Sequence, residues 1–260
     1  MFGTIIRDAY TRDETQKIIT ALDDLCSPND SYGWSSAGIY SFWNYYTKEL
    51  LYIGLAVDLA ERFKQHNGIK KVKTSSCKIE QINNYFEENE KLGYSIFVSS
   101  PLAQPVTSKN IYKWFKHDPQ YVGVKDFSNE QSKDDLKVIE GILIEAYKKT
   151  FGRIPPWNKV GGMIAGQKGA TEGNYVIVES MSALTDSLEN LTLSSKYSLR
   201  ELSDCPTYER YENFMHSIRM RMLSTGVTFE EAIKFIIQST GDETYVEMID
   251  KNYFGRILNI

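Results

Sequence analysis

The chain has 260 residues, which is enough for one large domain or two small ones with a sizeable buried core. Its composition is that of an ordinary globular protein, and its net charge of −4 excludes a global basic field that would hold nucleic acid. The charge is uneven, because residues 1–170 carry 22 Lys and Arg against 20 Asp and Glu, whereas residues 171–260 carry 8 against 14. Any contact with nucleic acid should therefore use local patches in the first two-thirds of the chain.

The cysteines and the hydropathy pattern bear on location. Cys26, Cys77 and Cys205 are odd in number and far apart, so they form neither a disulfide framework nor a metal-binding spacing. We therefore expect a reducing, cytoplasmic setting. The chain start lacks a basic segment followed by an apolar run, and no apolar stretch approaches the roughly 18–20 residues that cross a bilayer. We expect no signal peptide and no membrane contact.

The first predicted elements are a helix and a hairpin. Residues 1–36 are predicted to be an N-terminal helical segment, in which the capping-box pair Thr11 and Glu14 begins a helix over 11–25. Two strand-like runs joined by a polar turn predict a β-hairpin over 38–54.

Helices and one further strand follow the hairpin. The pattern predicts a helix at about 57–66, an acidic helix over 79–92 and a strand over 94–98, and then an irregular stretch over 101–131 before a long helix over 132–150. The predicted fold is therefore α/β, more closely α+β: a small, mainly antiparallel three-stranded sheet flanked by helices.

The last third of the chain changes character. Glycines recur over 161–169, and capping and apolar patterns predict acidic helices at 207–224 and 228–239. The predicted units are the N-terminal segment 1–36, a domain over 37–170 with a long insertion at about 68–130, and an acidic helical C-terminal extension over 171–260.

The densest pattern lies in the predicted hairpin. Gly-Ile-Tyr at 38–40 is followed after eleven residues by Tyr-Ile-Gly at 52–54, and Arg62 comes eight positions later. Hydrolysis of a phosphodiester needs an activated water, a neutralised transition state and a stabilised leaving oxygen. Two aromatic hydroxyls on neighbouring strands and a guanidinium on the next helix suit that work. Each residue alone would be an ordinary strand or surface residue, but their order and spacing favour the chemical interpretation.

These two tripeptides resemble the motif of the GIY-YIG nuclease superfamily. The resemblance covers roughly residues 36–160 and continues in His66 one turn after Arg62, in Glu140 within an E-x-x-L-I setting, and in a proline-containing turn that ends at Asn158. The double proline before Trp157 and Asn158 is most like the type II restriction endonuclease branch. The resemblance implies a metal-dependent DNA endonuclease with one Mg²⁺ or Mn²⁺ ion per site.

The resemblance also implies roles for the residues of the hairpin and the following helix. Tyr40 would be the general base or would orient the attacking water, and Tyr52 would hydrogen-bond a phosphate oxygen or water. Arg62 would bind the scissile phosphate, for which its forked, permanently charged group is well suited. His66 would assist proton transfer or hold the phosphate; on its own it would be a surface histidine.

The resemblance implies that the metal ion binds near the C-terminal end of the motif, where Glu140 and Asn158 lie. Glu140 would bind the ion through oxygen, and Asn158 would order the site by hydrogen bonds. The usual gap between these two residue types is about a dozen residues in the superfamily, and here it is 18, which makes Glu145 the alternative ligand. Gly38 and Gly54 should have backbone roles, such as a bend or a close approach.

Several lysines are candidates for contact with DNA phosphates. They lie after the arginine helix, in a basic-aromatic run at 109–117, and in the glycine-rich segment. The candidates are Lys70, Lys71, Lys73, Lys109, Lys113, Lys116 and Lys168. The alternatives are a solvated loop at 70–73, an amphipathic segment with core aromatics at 109–117, and a flexible connector at 161–169.

The leading interpretation is a sequence-specific, restriction-like DNA endonuclease acting on duplex DNA. One active site cuts one strand, so a two-fold homodimer would suit cleavage of a palindrome, and the acidic extension would suit dimerisation or packing. A homing, mobile-element or repair-type incision nuclease is one rival, although the acidic tail weighs against a homing enzyme. A catalytically silent nucleic-acid-binding module with the same fold is the other.

Overall fold

The computed structural model describes residues 2–26, 34, 36–71, 77–99, 129–182 and 192–260. Four predicted DNA-contacting lysines lie outside these ranges, as does most of the predicted insertion. The four are Lys73, Lys109, Lys113 and Lys116.

The described strands form one antiparallel sheet. They are β1 (Phe2–Tyr10), β2 (Gly38–Asn44), β3 (Leu50–Ala56) and β4 (Leu92–Ser99), in the order β1-β4-β2-β3. The predicted α+β class, the hairpin and the later strand are confirmed. Strand β3 is an edge strand, which leaves one row of its backbone groups facing away from the sheet.

The first strand corrects the expectation of a purely helical N-terminal segment and of three strands. Residues 2–10 form β1, which pairs with β4 from Phe2↔Ser99 to Tyr10↔Leu92. Every residue from Gly3 to Tyr10 is buried, including Arg7 and Asp8. A strand buried on both faces has no alternation of apolar and polar residues, so its sequence carries no period-2 signal.

The helices confirm the predicted positions within a few residues. A 3₁₀ turn at Arg12–Glu14 precedes the first helix, and Thr11 and Glu14 form the expected capping box. The described helices are α1 (Thr15–Leu25), α2 (Leu59–His66), α3 (Ile79–Glu88), α4 (Asn129–Phe151), α5 (Ile164–Gly169), α6 (Asn174–Ser180), α7 (Leu199–Asp204), α8 (Pro206–Thr225), α9 (Phe229–Thr240) and α10 (Glu243–Asp250).

Two hydrophobic clusters cover the two faces of the sheet. On one face, Phe42 and Tyr94 pack with apolar residues of α1 and α2, among them Phe63. On the other face, Trp43 belongs to a cluster with Tyr147 of α4. Helices α2 and α4 therefore flank the sheet from opposite sides, and both reach the edge strand β3, where the candidate site lies.

The C-terminal helices pack on the other edge of the sheet. The backbone N–H of Ser195 donates to the carbonyl of Ile5 in β1 at 2.8 Å. Arg219 of α8 is 1 % exposed, and its guanidinium donates to Glu212 at 2.9 Å and to the Thr4 hydroxyl at 3.0 Å. Removing one partner of such a buried ion pair typically costs about 3–5 kcal/mol. The acidic extension is thus helical, as predicted, and tied to β1 by buried polar contacts.

The part of the chain that the structure describes contains no helix that is both long and apolar enough to span a lipid bilayer.

Candidate active site

The hairpin brings the two motif tyrosines together. Tyr40 of β2 is the register partner of Gly54 of β3, and Tyr52 lies two residues earlier on the same face. The two tyrosine rings are 5.8 Å apart. A Cβ atom at Gly54 would lie 2.8 Å from the Tyr40 hydroxyl and 2.6 Å from the Tyr52 ring, and one at Gly38 would lie 2.6 Å from the carbonyl oxygen of Phe97. Both glycines therefore permit close approaches that a side chain would prevent.

Helix α2 supplies the arginine and the histidine. Its N-terminus is capped by Asp58, whose carboxylate accepts the Glu61 N–H at 2.8 Å. The four-residue spacing places Arg62 and His66 on one face of the helix. Both reach Tyr40: the Arg62 Nε–H donates to the Tyr40 hydroxyl at 3.2 Å, and His66 Nε2 lies 2.6 Å from that oxygen.

The hydrogen bonds define the protonation of His66. Its Nδ1 accepts the backbone N–H of Lys78 at 2.9 Å, so Nδ1 carries no proton. Burial lowers the pKa of His66 to about 3, with Arg62 and Lys78 adding to the effect. A neutral ring with a bare Nδ1 carries its proton on Nε2 and donates it to Tyr40.

The two tyrosine hydroxyls also share a hydrogen bond. Because the Tyr40 oxygen already accepts from Arg62 and His66, its own proton points to Tyr52. Burial raises the pKa of Tyr40 well above its ordinary value, with Tyr52 adding to the effect, and burial also raises the pKa of Tyr52. Both are phenols in the free protein. Tyr40 is 1 % exposed, whereas Tyr52 lines an open cleft, so Tyr52 presents the hydroxyl that reaches the substrate side.

The outer edge of β3 holds the turn that ends at Asn158. The Trp157 N–H donates to the Leu51 carbonyl at 2.8 Å. The Asn158 side chain accepts the Ile53 N–H at 3.0 Å and donates to the Ile53 carbonyl at 2.7 Å. The Asn158 amide, which carries both a donor and an acceptor, therefore makes the two hydrogen bonds to the Ile53 backbone that a neighbouring strand would make. These two hydrogen bonds fix the turn that carries Asn158 to β3.

Glu140 occupies the next position along the same edge. Its carboxylate accepts the backbone N–H of Leu55, two residues beyond Ile53. Burial raises the pKa of Glu140 to about 7, against the lowering effects of that hydrogen bond and of Arg62. Glu145 lies elsewhere on α4 and pairs with Lys148 at 3.5 Å. The structure thus places Glu140 with the tyrosines and leaves Glu145 outside their cleft.

The cleft has a volume of about 160 Å³. Its lining residues come from β3, α4, the Trp157–Asn158 turn and the chain just before α3. They are Tyr52, Lys78, Glu140, Ile144, Asn158, Lys159, Val160 and Gly162. A larger cavity of about 690 Å³ lies near Lys48, Tyr147 and Tyr175, and none of the predicted site residues lines it.

Two cleft lysines were missed by the sequence analysis. Lys78 is 4 % exposed, and its ammonium donates to the Trp157 carbonyl at 2.8 Å. Lys159 follows Asn158 directly and is exposed. Neither belongs to a motif, and adjacency to Asn158 was the one signal that pointed to Lys159.

Of the predicted DNA-contacting lysines that the structure describes, Lys70 is exposed and pairs with Glu61 at 2.7 Å. Lys71 and Lys168 are also exposed.

The glycine-rich segment packs closely against α4. A Cβ at Gly166 would lie 2.1 Å from the Val138 carbonyl oxygen, and one at Gly141 would lie 2.6 Å from the Met163 carbonyl oxygen. Residues Ile164–Gly169 form α5 on this surface. The flexible-connector interpretation of these glycines is therefore wrong, because the absent side chains let two backbones touch.

The donor set fits one hard cation that keeps most of its own water. The described residues contain no group of three or more His, Cys, Asp or Glu side chains able to hold a metal. Glu140 is the one carboxylate lining the cleft, and the Asn158 amide oxygen is already engaged by Ile53. Mg²⁺ is commonly held by one or two carboxylates together with waters and substrate phosphates. Glu140 therefore suits Mg²⁺ or Mn²⁺ in the presence of a phosphate.

The sheet and the flanking helices define an α+β protein in which two tyrosines, an arginine and a glutamate lie close together beside a cleft at one edge of the sheet. The family model of the GIY-YIG catalytic domain matches residues 36–101. Residues 36–101 are thus similar to the catalytic domain of the GIY-YIG superfamily, which supports an endonuclease. The match spans β2, β3, α2, α3 and β4 and ends before α4, so Glu140 and Asn158 depend on the geometry. The chain matched no curated protein and no solved structure.

Proposed function

We propose that this protein is a divalent-metal-dependent endonuclease that hydrolyses phosphodiester bonds in duplex DNA. One observation carries the proposal. Six side chains that are scattered over 119 residues of sequence lie close together at one edge of the sheet, which supports a shared chemical role. They are Tyr40, Tyr52, Arg62, His66, Glu140 and Asn158.

The charge of the cleft favours an anionic substrate. Lys159 and Arg62 both act electrostatically on Lys78, and Arg62 also acts on Glu140. Among the described residues that line the cleft, the cations Lys78 and Lys159 outnumber the carboxylate of Glu140, and Arg62 adds positive charge nearby; charges in a partly dehydrated site interact more strongly than in water. A phosphodiester neutralises that excess. The same excess opposes a cation, so we expect the metal ion to bind tightly only together with the phosphate.

The tyrosines place hydroxyl groups at the substrate. The Tyr52 oxygen accepts from Tyr40 and from Arg62, which directs its own proton toward the cleft. Tyr52 can then donate to a non-bridging phosphate oxygen or orient the attacking water. A tyrosine can take a proton from the water only as a phenolate, so one phenol proton must first leave to solvent. The donors Arg62 and His66, which contact the Tyr40 hydroxyl, would stabilise the negative charge that this loss leaves on the tyrosine pair, and the proton of the attacking water would then restore the phenol. In this scheme His66 holds Tyr40 through Nε2–H.

The metal and the arginine would neutralise the transition state. A divalent ion held by Glu140 would supply positive charge at the phosphate and the leaving oxygen. Arg62 contacts both tyrosines and would bind a second phosphate oxygen from the other side. Asn158 keeps this geometry by fixing the turn to β3, and the edge strand thus sets the distance between the metal ligand and the tyrosines.

We further propose a restriction-like role with cleavage at specific sequences. The double-proline turn ending at Asn158 and its seat on the edge of β3 support this branch. One cleft would cut one strand, so cleavage of both strands favours a two-fold dimer. Recognition lysines at Lys70, Lys71 and Lys168 would extend the positive surface toward the flanking phosphates.

A nicking assay tests the proposal. Supercoiled plasmids and long mixed-sequence DNA are incubated with the protein in Mg²⁺, in Mn²⁺ or in a chelator, and the ends are sequenced. We expect metal-dependent nicks at recurring sites, a loss of at least about 100-fold for Glu140→Gln, and near-normal cleavage for the matched control Glu145→Gln. Absence of cleavage of any DNA or RNA by the wild type would support the silent module instead. Equal loss in both glutamine variants would refute the metal-site assignment.

A further inference from the structure

Lys78 is a buried cation with an unusual position beside the cleft. Its side chain is 4 % exposed and runs over the ring of Tyr52, with the ammonium nitrogen 4.6 Å from the ring centroid. One N–H of the ammonium donates to the Trp157 carbonyl at 2.8 Å. An ammonium has three donors, so two remain after this contact.

The charge of Lys78 lacks a carboxylate partner among the residues that the structure describes. The described ion pairs do not include it, and the charged groups that lower its pKa are Lys159 and Arg62, both cations, whereas the neighbouring Cys77 acts in the opposite sense. A buried charge without an opposite charge is costly. It is retained here at the wall of the cleft, next to the tyrosine that faces the substrate.

The backbone of the same residue has a second contact with the site. The Lys78 N–H donates to His66 Nδ1 at 2.9 Å and so places the imidazole proton on Nε2, toward Tyr40. One residue thus joins the histidine, the Tyr52 ring and the turn that carries Asn158.

We propose that the Lys78 ammonium binds an oxygen of the phosphodiester at or next to the scissile position, in the cleft that Glu140 also lines. This inference rests on the proposed nuclease function and adds a substrate-contacting residue to it. The phosphate would accept the two remaining N–H groups and supply the missing negative charge. Lys78 and Arg62 would then neutralise the phosphate together, one as a point charge and the other as a planar fork.

A simpler interpretation is that Lys78 only holds the Trp157 carbonyl in place, and three variants separate the two. Lys78→Met keeps the stem over Tyr52 and removes the charge. Lys78→Gln keeps a donor for the Trp157 carbonyl without the charge, and Lys78→Arg keeps the charge. Lys234→Met is the control for loss of an exposed cation, because Lys234 lies on α9 and does not line the cleft.

The experiment measures cleavage, DNA binding and folding for each variant. Binding is followed on a duplex that contains the preferred site, in the Glu140→Gln background so that the DNA stays intact, across a range of salt concentrations. For both Met and Gln at position 78 we expect kcat to fall about 10- to 100-fold, with partial recovery in Lys78→Arg. The slope of log Kd against log salt should fall by about 0.9, the value for one lost phosphate contact. Thermal unfolding should stay close to that of the wild type.

The outcomes discriminate among the hypotheses. If Lys78→Gln cleaves within about threefold of the wild type, or if its salt slope is unchanged, the proposal is overturned. Reduced cleavage with a lowered melting temperature and an unchanged salt slope would assign Lys78 a structural role, and also overturns it. If the wild type neither binds nor cuts nucleic acid, the nuclease proposal fails and this inference fails with it. If the wild type cuts DNA and the Lys78 variants cut it equally well, this inference fails and the nuclease proposal stands.

Discussion

Replacement of Gly54 by alanine is the sharpest test of how the hairpin builds the site. The new Cβ would lie 2.6 Å from a ring carbon of Tyr52, 2.8 Å from the Tyr40 hydroxyl and 2.9 Å from the Tyr40 ring. Carbon atoms in proteins pack at roughly 3.5–4.0 Å, so the two rings must move away from the new Cβ by at least about 0.6–0.9 Å. The Tyr40 hydroxyl is held at 2.6 Å by His66 and at 3.2 Å by Arg62, and a movement of that size disrupts both contacts.

The expected effect of Gly54→Ala is larger on catalysis than on folding. Overpacking costs about 1–3 kcal/mol, which lowers the melting temperature of a protein of this size by roughly 2–10 °C. A misplacement of about 1 Å in a catalytic group lowers kcat by about 100-fold. Cleavage rates at saturating DNA and thermal unfolding measure the two effects separately.

Gly173→Ala is the matched control for Gly54→Ala. Gly173 lies just before α6 with φ of −61°, and the nearest atom to an added Cβ is 4.0 Å away, at Thr171. We expect wild-type cleavage and unchanged or slightly higher stability for this variant. Wild-type kcat in Gly54→Ala would refute the conclusion that the spacing of Tyr40 and Tyr52 sets the activity.

Three further predictions concern the pKa shifts and the edge of β3. Burial raises the pKa of Glu140 from 4.5 to about 7, so its charge destabilises the metal-free fold as pH rises through that range. The free energy of unfolding of Glu140→Gln, measured by urea titration with a chelator, should therefore exceed that of the wild type by about 1–3 kcal/mol at pH 8. This difference should vanish near pH 4.5. A similar increase in Glu145→Gln would contradict the prediction. Burial lowers the pKa of His66 from 6.5 to about 3, so the stability it contributes is complete above pH 6.5 and is lost as pH falls. The stability advantage of the wild type over His66→Gln should shrink by about 1 kcal/mol between pH 6.5 and 5.5, whereas parallel pH curves would exclude the buried neutral ring. Asn158→Ala loses both hydrogen bonds to Ile53. This loss should lower the free energy of unfolding by about 1–3 kcal/mol and slow cleavage. Unchanged hydrogen exchange at the Ile53 N–H in that variant would show that the turn does not depend on Asn158.

Local patterns predicted the elements that carry their own signal. Helix α1 has a capping box and an apolar stripe, and the hairpin has two strand-like runs around a polar turn. The four-residue spacing of Arg62 and His66 sufficed to place both on one face of α2. Strand β1 was missed because tertiary packing buries both of its faces, which removes the alternation that marks a strand at the surface of a sheet.

The glycines illustrate a pattern whose meaning depends on a distant partner. The sequence showed a glycine-rich run over 161–169 and an isolated Gly141 within a predicted helix. Their relation became visible only when α5 lay against α4 with backbone atoms in contact. A glycine that permits close packing and a glycine that permits flexibility look alike in a sequence.

By itself the sequence determined which residue types exist at the site and which neighbours they have within each element. The tyrosine pair, the arginine and the histidine were predicted from the resemblance of the motif, and the four-residue spacing of Arg62 and His66 converts directly into a shared helix face. The sequence left Glu140 and Glu145 as alternatives and did not indicate Lys78. Only the tertiary structure shows that Glu140 and Lys78 line the same cleft as Tyr52 and that Glu145 is not among its lining residues. The edge of β3 gathers groups that are 105 residues apart, as in the Asn158–Ile53 contact, and the backbone N–H of Leu55 on that edge bonds Glu140. Such contacts follow from which surfaces pack together, and no local period in the chain records them.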